Sequence, residues 1–204
     1  MIKLYNLPYE DALSSIKDND VSLIYADISG ILSPGDMVNK CLSLIDYVDT
    51  IIIVANQDFH VKSPYLIASL PFTCVYPPRF NNLKVSFSVF VVSKKLTAVA
   101  RLRDLYCFNN KERIVSVNQK PALFYDDILQ HFTKKGDTVA DCLAGRGAMT
   151  LAALSLSRNC VSFEENIFNY KLINNYVSRH MFANKQFTLN YYPFYCIVRR
   201  NAVS

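Results

Sequence analysis

Short apolar blocks alternate with amphipathic stretches along the chain, a pattern typical of a mostly parallel sheet covered by helices. Several blocks are β-branched and apolar on both sides, as in strands buried on both faces. The predicted strands are residues 2–5, 22–26, 50–55, 72–76, 86–92, 138–141, 159–163 and 186–191. The predicted helices are residues 9–17, 35–47, 63–70, 122–133, 148–157 and 165–182. The pattern therefore predicts an α/β fold with helices on both faces of the sheet.

Two stretches interrupt this alternation. Residues 77–82 form a turn by composition, and residues 102–117 mix charges and aromatics without a clear period, as a surface loop does. The chain shows no internal repeat, low-complexity tract or linker. We therefore expect residues 1–204 to form a single domain.

The composition is that of a globular protein, with 51% hydrophobic and 19% charged residues. The formal net charge of +5 is compatible with a polyanionic partner but does not require one. The N-terminus lacks a signal sequence, and no apolar run approaches the roughly 20 residues that span a bilayer. We expect a soluble, cytoplasmic protein that does not enter membranes.

Cysteine and histidine usage supports this location and argues against a metal centre. The six cysteines stand singly, without a CxxC pair, which is typical of reduced thiols in a core. His60, His131 and His180 have no metal-ligand spacing between them. We therefore predict no metal site.

The segment GDTVADCLAGRG, residues 136–147, carries the most information about function. It is a short strand ending at Asp141, followed by a turn with Gly145 and Gly147 and then a helix. Glycines let a backbone approach a ligand closely, and the helix start offers free N–H groups. The next strand ends at Glu164, where nucleotide-binding units place the acidic residue that holds ribose hydroxyls. An ordinary strand-turn-helix with glycines for packing would give the same pattern.

A wider comparison favours ligand binding. GDTVADCLAGRGAMTLAALSLSRNCVSFEEN closely resembles the S-adenosylmethionine (SAM) region of β-class DNA amino-methyltransferases, and the upstream residues NQKP resemble their TQKP segment. The N-terminal LYNLPYEDALSSIKDNDVSLIYADISG is similar to the family's opening, which ends in DPPY. The resemblance implies a Rossmann-like SAM-dependent methyltransferase fold in circularly permuted order, with the catalytic motif first and the SAM motif last.

The resemblance also implies roles for individual residues. Asp141 would hold the SAM amino group, Glu164 the ribose hydroxyls, and Lys120 would lie near the methionine end. Asp27 would accept a hydrogen bond from the target amine, and it is the one catalytic residue that the resemblance assigns. The loop beneath the cofactor would be lined by Ala144, Gly145 and Gly147.

The chain departs from the family pattern at both motifs. Asp27-Ile28-Ser29-Gly30 replaces DPPY, so the aromatic that stacks on the flipped base and both rigid prolines are gone. Tyr25 or Phe59 are candidates to replace the stacking ring. In the SAM loop a Pro-Phe pair is replaced by Cys142-Leu143, and Arg146 stands where the family has a small residue. Asp27 is either catalytic or a surviving strand-end carboxylate.

A basic stretch offers a candidate DNA contact. Between residues 96 and 117, cationic side chains alternate with aromatics, which suits either a phosphate-contacting loop or a solvated surface. The candidate DNA-binding residues are Arg101, Arg103, Lys111 and Arg113.

Three hypotheses follow for the function. The first is an active enzyme that methylates adenine N6 or cytosine N4 in DNA. The second is an inactive homologue that serves as a DNA-binding or partner-binding subunit, with a protein partner or a second copy of itself. The third, a small-molecule methyltransferase or SAM sensor, rests on the fold alone.

Overall fold

Two sheets organise the part of the chain that the computed structural model describes, which is residues 1–16, 20–31, 34–56, 61–95, 102–108, 112, 118–182, 187–189 and 198–200. The larger, eight-stranded sheet has the order β1-β8-β7-β2-β3-β5-β4-β6. Its strands are Ile2–Tyr5 (β1), Leu23–Asp27 (β2), Thr50–Ala55 (β3), Leu66–Val75 (β4), Lys84–Ser93 (β5), Leu105–Cys107 (β6), Thr138–Asp141 (β7) and Asn159–Phe163 (β8). The second sheet pairs Phe187–Leu189 (β9) with Val198–Arg200 (β10).

Pairing in the larger sheet is mostly parallel. In sheet order, the adjacent strands β1, β8, β7, β2 and β3 all pair in parallel, as do β4 and β6. The strand β5 is antiparallel to both of its neighbours, β3 and β4. The fold is thus the α/β architecture that the sequence predicts, with a mostly parallel sheet.

The helices cover both faces of this sheet. They are Tyr9–Ile16 (α1), Gly35–Leu42 (α2), Ala122–Phe132 (α3), Ala148–Ser155 (α4) and Ile167–Phe182 (α5), with a 3-10 turn at Pro78–Phe80. One apolar core joins the sheet to α3 and α4, and a second joins its other face to α1 and α2. Among the helices described here, none is long and apolar enough to cross a membrane.

The central strands explain where polar side chains gather. β2 lies between β3 and β7, and its residues from Leu23 to Ala26 are almost completely buried. Apolar runs of this kind belong to strands covered on both faces. Because β2, β7 and β8 are parallel neighbours, their carboxyl ends meet at one edge of the sheet. Asp27, Asp141 and Glu164 therefore come together there, as expected for ligand sites in open α/β sheets.

The structure corrects the sequence prediction at one helix and adds two strands. Residues 63–70 are predicted as a helix, but residues 66–70 form the first half of β4, because from Leu66 onward this segment pairs with β5. The short strand β6 lies in the segment predicted as a loop and adds to the edge of the sheet at β4. The strand β10 is also absent from the sequence prediction.

Candidate functional site

A pocket of about 230 Å³ opens at the carboxyl ends of β2 and β7. The residues predicted as catalytic or cofactor-binding that line it are Asp27, Asp141, Ala144 and Gly145. Lys120, Gly147 and Glu164 lie around the pocket rather than on its surface. The structure therefore brings Asp27 and the SAM-type loop to one site, although residues 27 and 141 are far apart in the chain.

The loop between β7 and α4 depends on its glycines. Gly145 and Gly147 both have positive φ, 55° and 84°, which a residue with a Cβ adopts at a cost. A Cβ on Gly147 would also lie 2.8 Å from Cγ1 of Ile173 in α5. Gly147 is therefore required for close packing between the start of α4 and α5, whereas Gly145 forms part of the pocket lining.

Asp141 is a buried carboxylate with one oxygen left open. Its Oδ2 accepts a hydrogen bond of 3.3 Å from Thr150, and the Thr150 hydroxyl lies 2.7 Å from that of Ser162. Its Oδ1 has no hydrogen-bond partner among the described residues. Burial raises the pKa of Asp141 to about 7, and the nearby Asp27 and Glu164 carboxylates add to this effect. The open oxygen makes Asp141 the strongest candidate for a ligand contact.

Glu164 follows β8 next to this loop. Its Oε1 accepts the Asn166 N–H at 2.8 Å, and its backbone carbonyl accepts a hydrogen bond from Asn6. The side chain is largely buried, and burial raises its pKa. Glu164 therefore lies at the strand end where the resemblance places the ribose-binding acid, and its role stays a prediction.

At the end of β2, Asp27 forms an ion pair with Lys120. The Lys120 ammonium donates to both carboxylate oxygens, at 2.8 and 2.6 Å, and to the Ser29 hydroxyl at 2.5 Å. Ser29 in turn donates to Asp27 Oδ1 through its hydroxyl, at 2.5 Å, and its backbone N–H, at 3.1 Å. Lys120 is fully buried and lies 4.2 Å from the Phe87 ring centroid. Burial lowers the pKa of Lys120, and Asp27 counteracts this by stabilising the charged form.

The rest of the Asp27-Ile28-Ser29-Gly30 segment also differs from a DPPY motif in its contacts. The Ile28 N–H donates to the Val54 carbonyl at 2.8 Å, a bond that proline cannot make. The Ile28 side chain is buried in the apolar core between the sheet and the helices α1 and α2. A Cβ on Gly30 would lie 3.4 Å from the Asn118 amide nitrogen, at the near limit of ordinary van der Waals contact.

The predicted DNA-binding residues are only partly described. Arg103 forms a salt bridge of 2.9 Å with Asp127 on α3, and its side chain is 55% exposed. Arg101, Lys111 and Arg113 lie outside the described residues. Arg146 is exposed and lines the pocket. DNA contact by this group stays a prediction.

Sequence reasoning missed several polar groups of the site. Ser29 and Thr150 hold the two aspartates, and Tyr25 and Tyr125 line the pocket. The sequence suggests Tyr25 only as a stacking ring, but this ring is buried and packs edge-on against Tyr125. Its spacing of two residues from Asp27 is a usable signal, because such residues share one face of a strand. Phe59, the other stacking candidate, lies outside the described residues.

No group of three or more metal-ligating side chains occurs within the described ranges. The chemistry of the pocket instead suits a cationic organic ligand. Two aspartates line it, one with an open oxygen, beside a loop whose glycines allow close approach. These features fit the amino group of SAM as the resemblance would place it.

Comparison with known proteins shows which sequences the chain resembles. The sequence model of a DNA methylase family, the N6/N4 methyltransferases, matches residues 81–175. The type II methyltransferase M.BglI of Bacillus subtilis is 39% identical over 70 residues, which cover 32% of this chain and 20% of that protein. The chain thus spans about a fifth of the length of this curated relative.

Solved structures of DNA methyltransferases share the fold. The M1.HpyAVI–SAM complex superposes with a TM-score of 0.62 at 15% identity, covering 87% of this chain and 99% of that one. The cytosine-N4-specific PvuII DNA methyltransferase gives 0.60 at 15% identity, covering 85% of each chain. The chain therefore has the methyltransferase fold. The resemblance to DNA amino-methyltransferases seen in the sequence is confirmed.

Proposed function

We propose that this chain is a DNA methyltransferase-like protein that binds SAM but does not transfer its methyl group to DNA bases. The observation that carries the first half is the open Asp141 Oδ1 in the pocket. A buried carboxylate oxygen without a partner is costly, and an ammonium group is a strong partner for it. The fold it shares with the M1.HpyAVI–SAM complex supports SAM as the ligand.

The second half rests on the state of Asp27. A carboxylate offers about four lone-pair sites. Asp27 accepts hydrogen bonds from Lys120 at both oxygens and from Ser29 twice. Three of these bonds fall on Oδ1 and one, from Lys120, falls on Oδ2, so both oxygens to which the resemblance assigns the target amine are already engaged. A base amine would compete at this carboxylate with a fully buried ammonium, and displacing that ammonium would leave it without its counter-ion.

The altered segment also lacks the means to hold a base. Gly30 provides no ring where DPPY has its aromatic, and stacking on such a ring contributes about 1–3 kcal/mol per base. Alignment of the reacting groups accounts for roughly 7–11 kcal/mol of barrier reduction in favourable systems. A base without a stacking partner, facing a carboxylate already paired with Lys120, would lose most of this alignment.

Under this proposal the role is that of a DNA-binding or partner-binding subunit that carries the cofactor. DNA is the partner that the family suggests. Among the predicted DNA-binding residues, the described one is Arg103, whose side chain is half exposed. We expect this role to be exercised in a cytoplasmic setting, beside a partner that supplies any chemistry.

An active enzyme is the second candidate, and one observation favours it. Asp27 lines the pocket and its side chain is 18% exposed, so a ligand can reach it. In that case the Lys120 ion pair would orient Asp27 rather than occupy it.

Calorimetric titration of cofactor-free protein with SAM and S-adenosylhomocysteine tests the binding. We expect micromolar affinity for the wild-type chain and at least a tenfold loss in Asp141→Asn, because the charged hydrogen bond is removed. Asp137→Asn is the matched control, since Asp137 caps a turn before β7 by accepting the Lys134 N–H. Equal affinities for wild type and Asp141→Asn would contradict the proposal, as would no binding of either ligand.

The same protein is then incubated with methyl-labelled SAM and duplex DNA. We expect no label in the DNA above a blank without protein. Label that accumulates with repeated turnover would overturn the inactive half of the proposal and favour the second candidate.

A further inference from the structure

The pocket contains a second buried polar atom that has no partner. Among the described residues, the buried side-chain atoms without a hydrogen bond are Asp141 Oδ1 and the Tyr25 hydroxyl. Both residues line the same pocket, and Tyr25 is only 2% exposed. Buried hydroxyls are nearly always hydrogen-bonded in folded proteins, so an open one in the same pocket as an open carboxylate oxygen points to a ligand site.

The fold places the two side chains on one face of the sheet by strand register. Tyr25 and Asp141 are directly paired residues of the neighbouring parallel strands β2 and β7. Paired residues of parallel strands project from the same face of the sheet. Edge-on packing against Tyr125, at 6.0 Å between ring centroids, fixes the Tyr25 ring. The hydroxyl is therefore held in position before any ligand arrives.

The surrounding charge selects the kind of ligand. Asp27 and Asp141 both lie close enough to Tyr25 to raise its pKa, after burial as the main cause. The Tyr25 phenol thus stays neutral, with oxygen lone pairs that can accept a hydrogen bond. A group that donates several hydrogen bonds and carries positive charge satisfies both open atoms, whereas an anion would meet the open carboxylate oxygen of Asp141. An ammonium group has this chemistry.

We propose that Tyr25 and Asp141 form an ammonium subsite. In it, the amino group on the methionine part of SAM donates to the Tyr25 hydroxyl oxygen and to Asp141 Oδ1. This inference rests on the proposed SAM binding and extends it, because the resemblance assigns only Asp141 to this contact. Tyr25 is a binding residue that makes the pocket selective for ligands with an amine.

Three adenosine ligands separate this proposal from its alternatives. SAM carries both the ammonium and the carboxylate, decarboxylated SAM keeps only the ammonium, and 5′-methylthioadenosine has neither. We expect Tyr25→Phe to weaken SAM and decarboxylated SAM by about the same factor, roughly tenfold, as for one hydrogen bond to a charged group. Binding of 5′-methylthioadenosine should not change.

Tyr106→Phe is the matched control. It removes a hydroxyl that donates to Asp127 at 3.0 Å outside the pocket, so it should leave all three affinities unchanged. Circular dichroism and thermal unfolding establish that each variant is folded before titration.

Each other result overturns the subsite. Unchanged SAM affinity in Tyr25→Phe means that solvent satisfies this hydroxyl. An effect that disappears with decarboxylated SAM assigns Tyr25 to the carboxylate, and an equal effect on 5′-methylthioadenosine assigns it to the nucleoside. If wild type binds none of the three, the proposed SAM binding itself fails, and the subsite with it.

Discussion

The ends of β2 and β7 are neighbours in one sheet but have opposite chemistry. At β7, Asp141 keeps an open oxygen beside a glycine loop. At β2, Asp27 makes four hydrogen bonds within the protein, to Lys120 and Ser29. Both carboxylates lose water on folding, but only the first still lacks a replacement partner. The end of β7 thus offers an open acceptor to a ligand, whereas the carboxylate at the end of β2 is bound within the protein, which is the contrast on which the proposed function rests.

The strongest test of this contrast is Asp27→Ala. Removing Asp27 leaves the Lys120 ammonium buried without a counter-ion, so we expect the free energy of unfolding to fall by about 3–5 kcal/mol. Chemical denaturation measures this loss. In the double variant Asp27→Ala/Lys120→Met most of the stability should return, because methionine suits the apolar contact with Phe87.

A purely catalytic Asp27 would give the opposite result, with wild-type stability in Asp27→Ala. Since the single variant is expected to be destabilised, loss of any activity in it would not identify Asp27 as catalytic. Activity should instead be compared between wild type and the double variant.

The next largest effect is expected at the glycine loop. Gly147→Ala places a methyl group 2.8 Å from Ile173 Cγ1 at a residue with φ of 84°, and we expect a loss of about 2–3 kcal/mol. Gly136→Ala is the control, because Gly136 has φ of 90° but its added methyl group would meet no atom within 4 Å. It should lose only about 1 kcal/mol, from backbone strain. Equal losses in thermal unfolding would show that packing against α5 is not what requires Gly147.

The smallest expected effect is the pH dependence of stability that Asp141 causes. Its pKa is raised from 3.8 to about 7, so the folded protein binds more protons than the unfolded chain between these values. Stability is therefore lost as the pH rises through this window, and the loss is complete above pH 7. We expect Asp141→Asn to be more stable than wild type by about 1–3 kcal/mol at pH 8 and nearly equal to it at pH 4. A pH-independent difference between the two unfolding curves would contradict this.

The strands that position the site follow from local sequence, whereas one neighbouring element does not. Residues 50–55, 138–141 and 159–163 are apolar runs that only a sheet buried on both faces accommodates, and the structure forms strands with these bounds. Residues 63–70 have apolar positions that suit a helix equally well. Pairing with β5 makes this segment a strand, and the order of apolar and polar residues within the segment does not reveal that contact.

The candidate site shows the same division. Asp141, Gly145 and Gly147 can be found from the sequence because they lie within one short segment whose spacing carries their geometry. The contact between Lys120 and Asp27 joins residues 93 positions apart, so spacing cannot reveal it. The resemblance places Lys120 near the methionine end of the cofactor, which stays a prediction, and the structure adds its ion pair with Asp27 in the pocket lining.

The burial of Lys120 has a consequence for how this sequence can change over generations. Its ammonium contacts Asp27 at the end of β2 and the ring of Phe87 on β5, and its backbone lies just before α3. A mutation that removes either member of the ion pair alone would leave a chain that folds poorly, so purifying selection acts on the two codons together. Descendants of this protein should therefore keep the aspartate and the lysine as a pair or lose both, whether or not any of them methylates DNA.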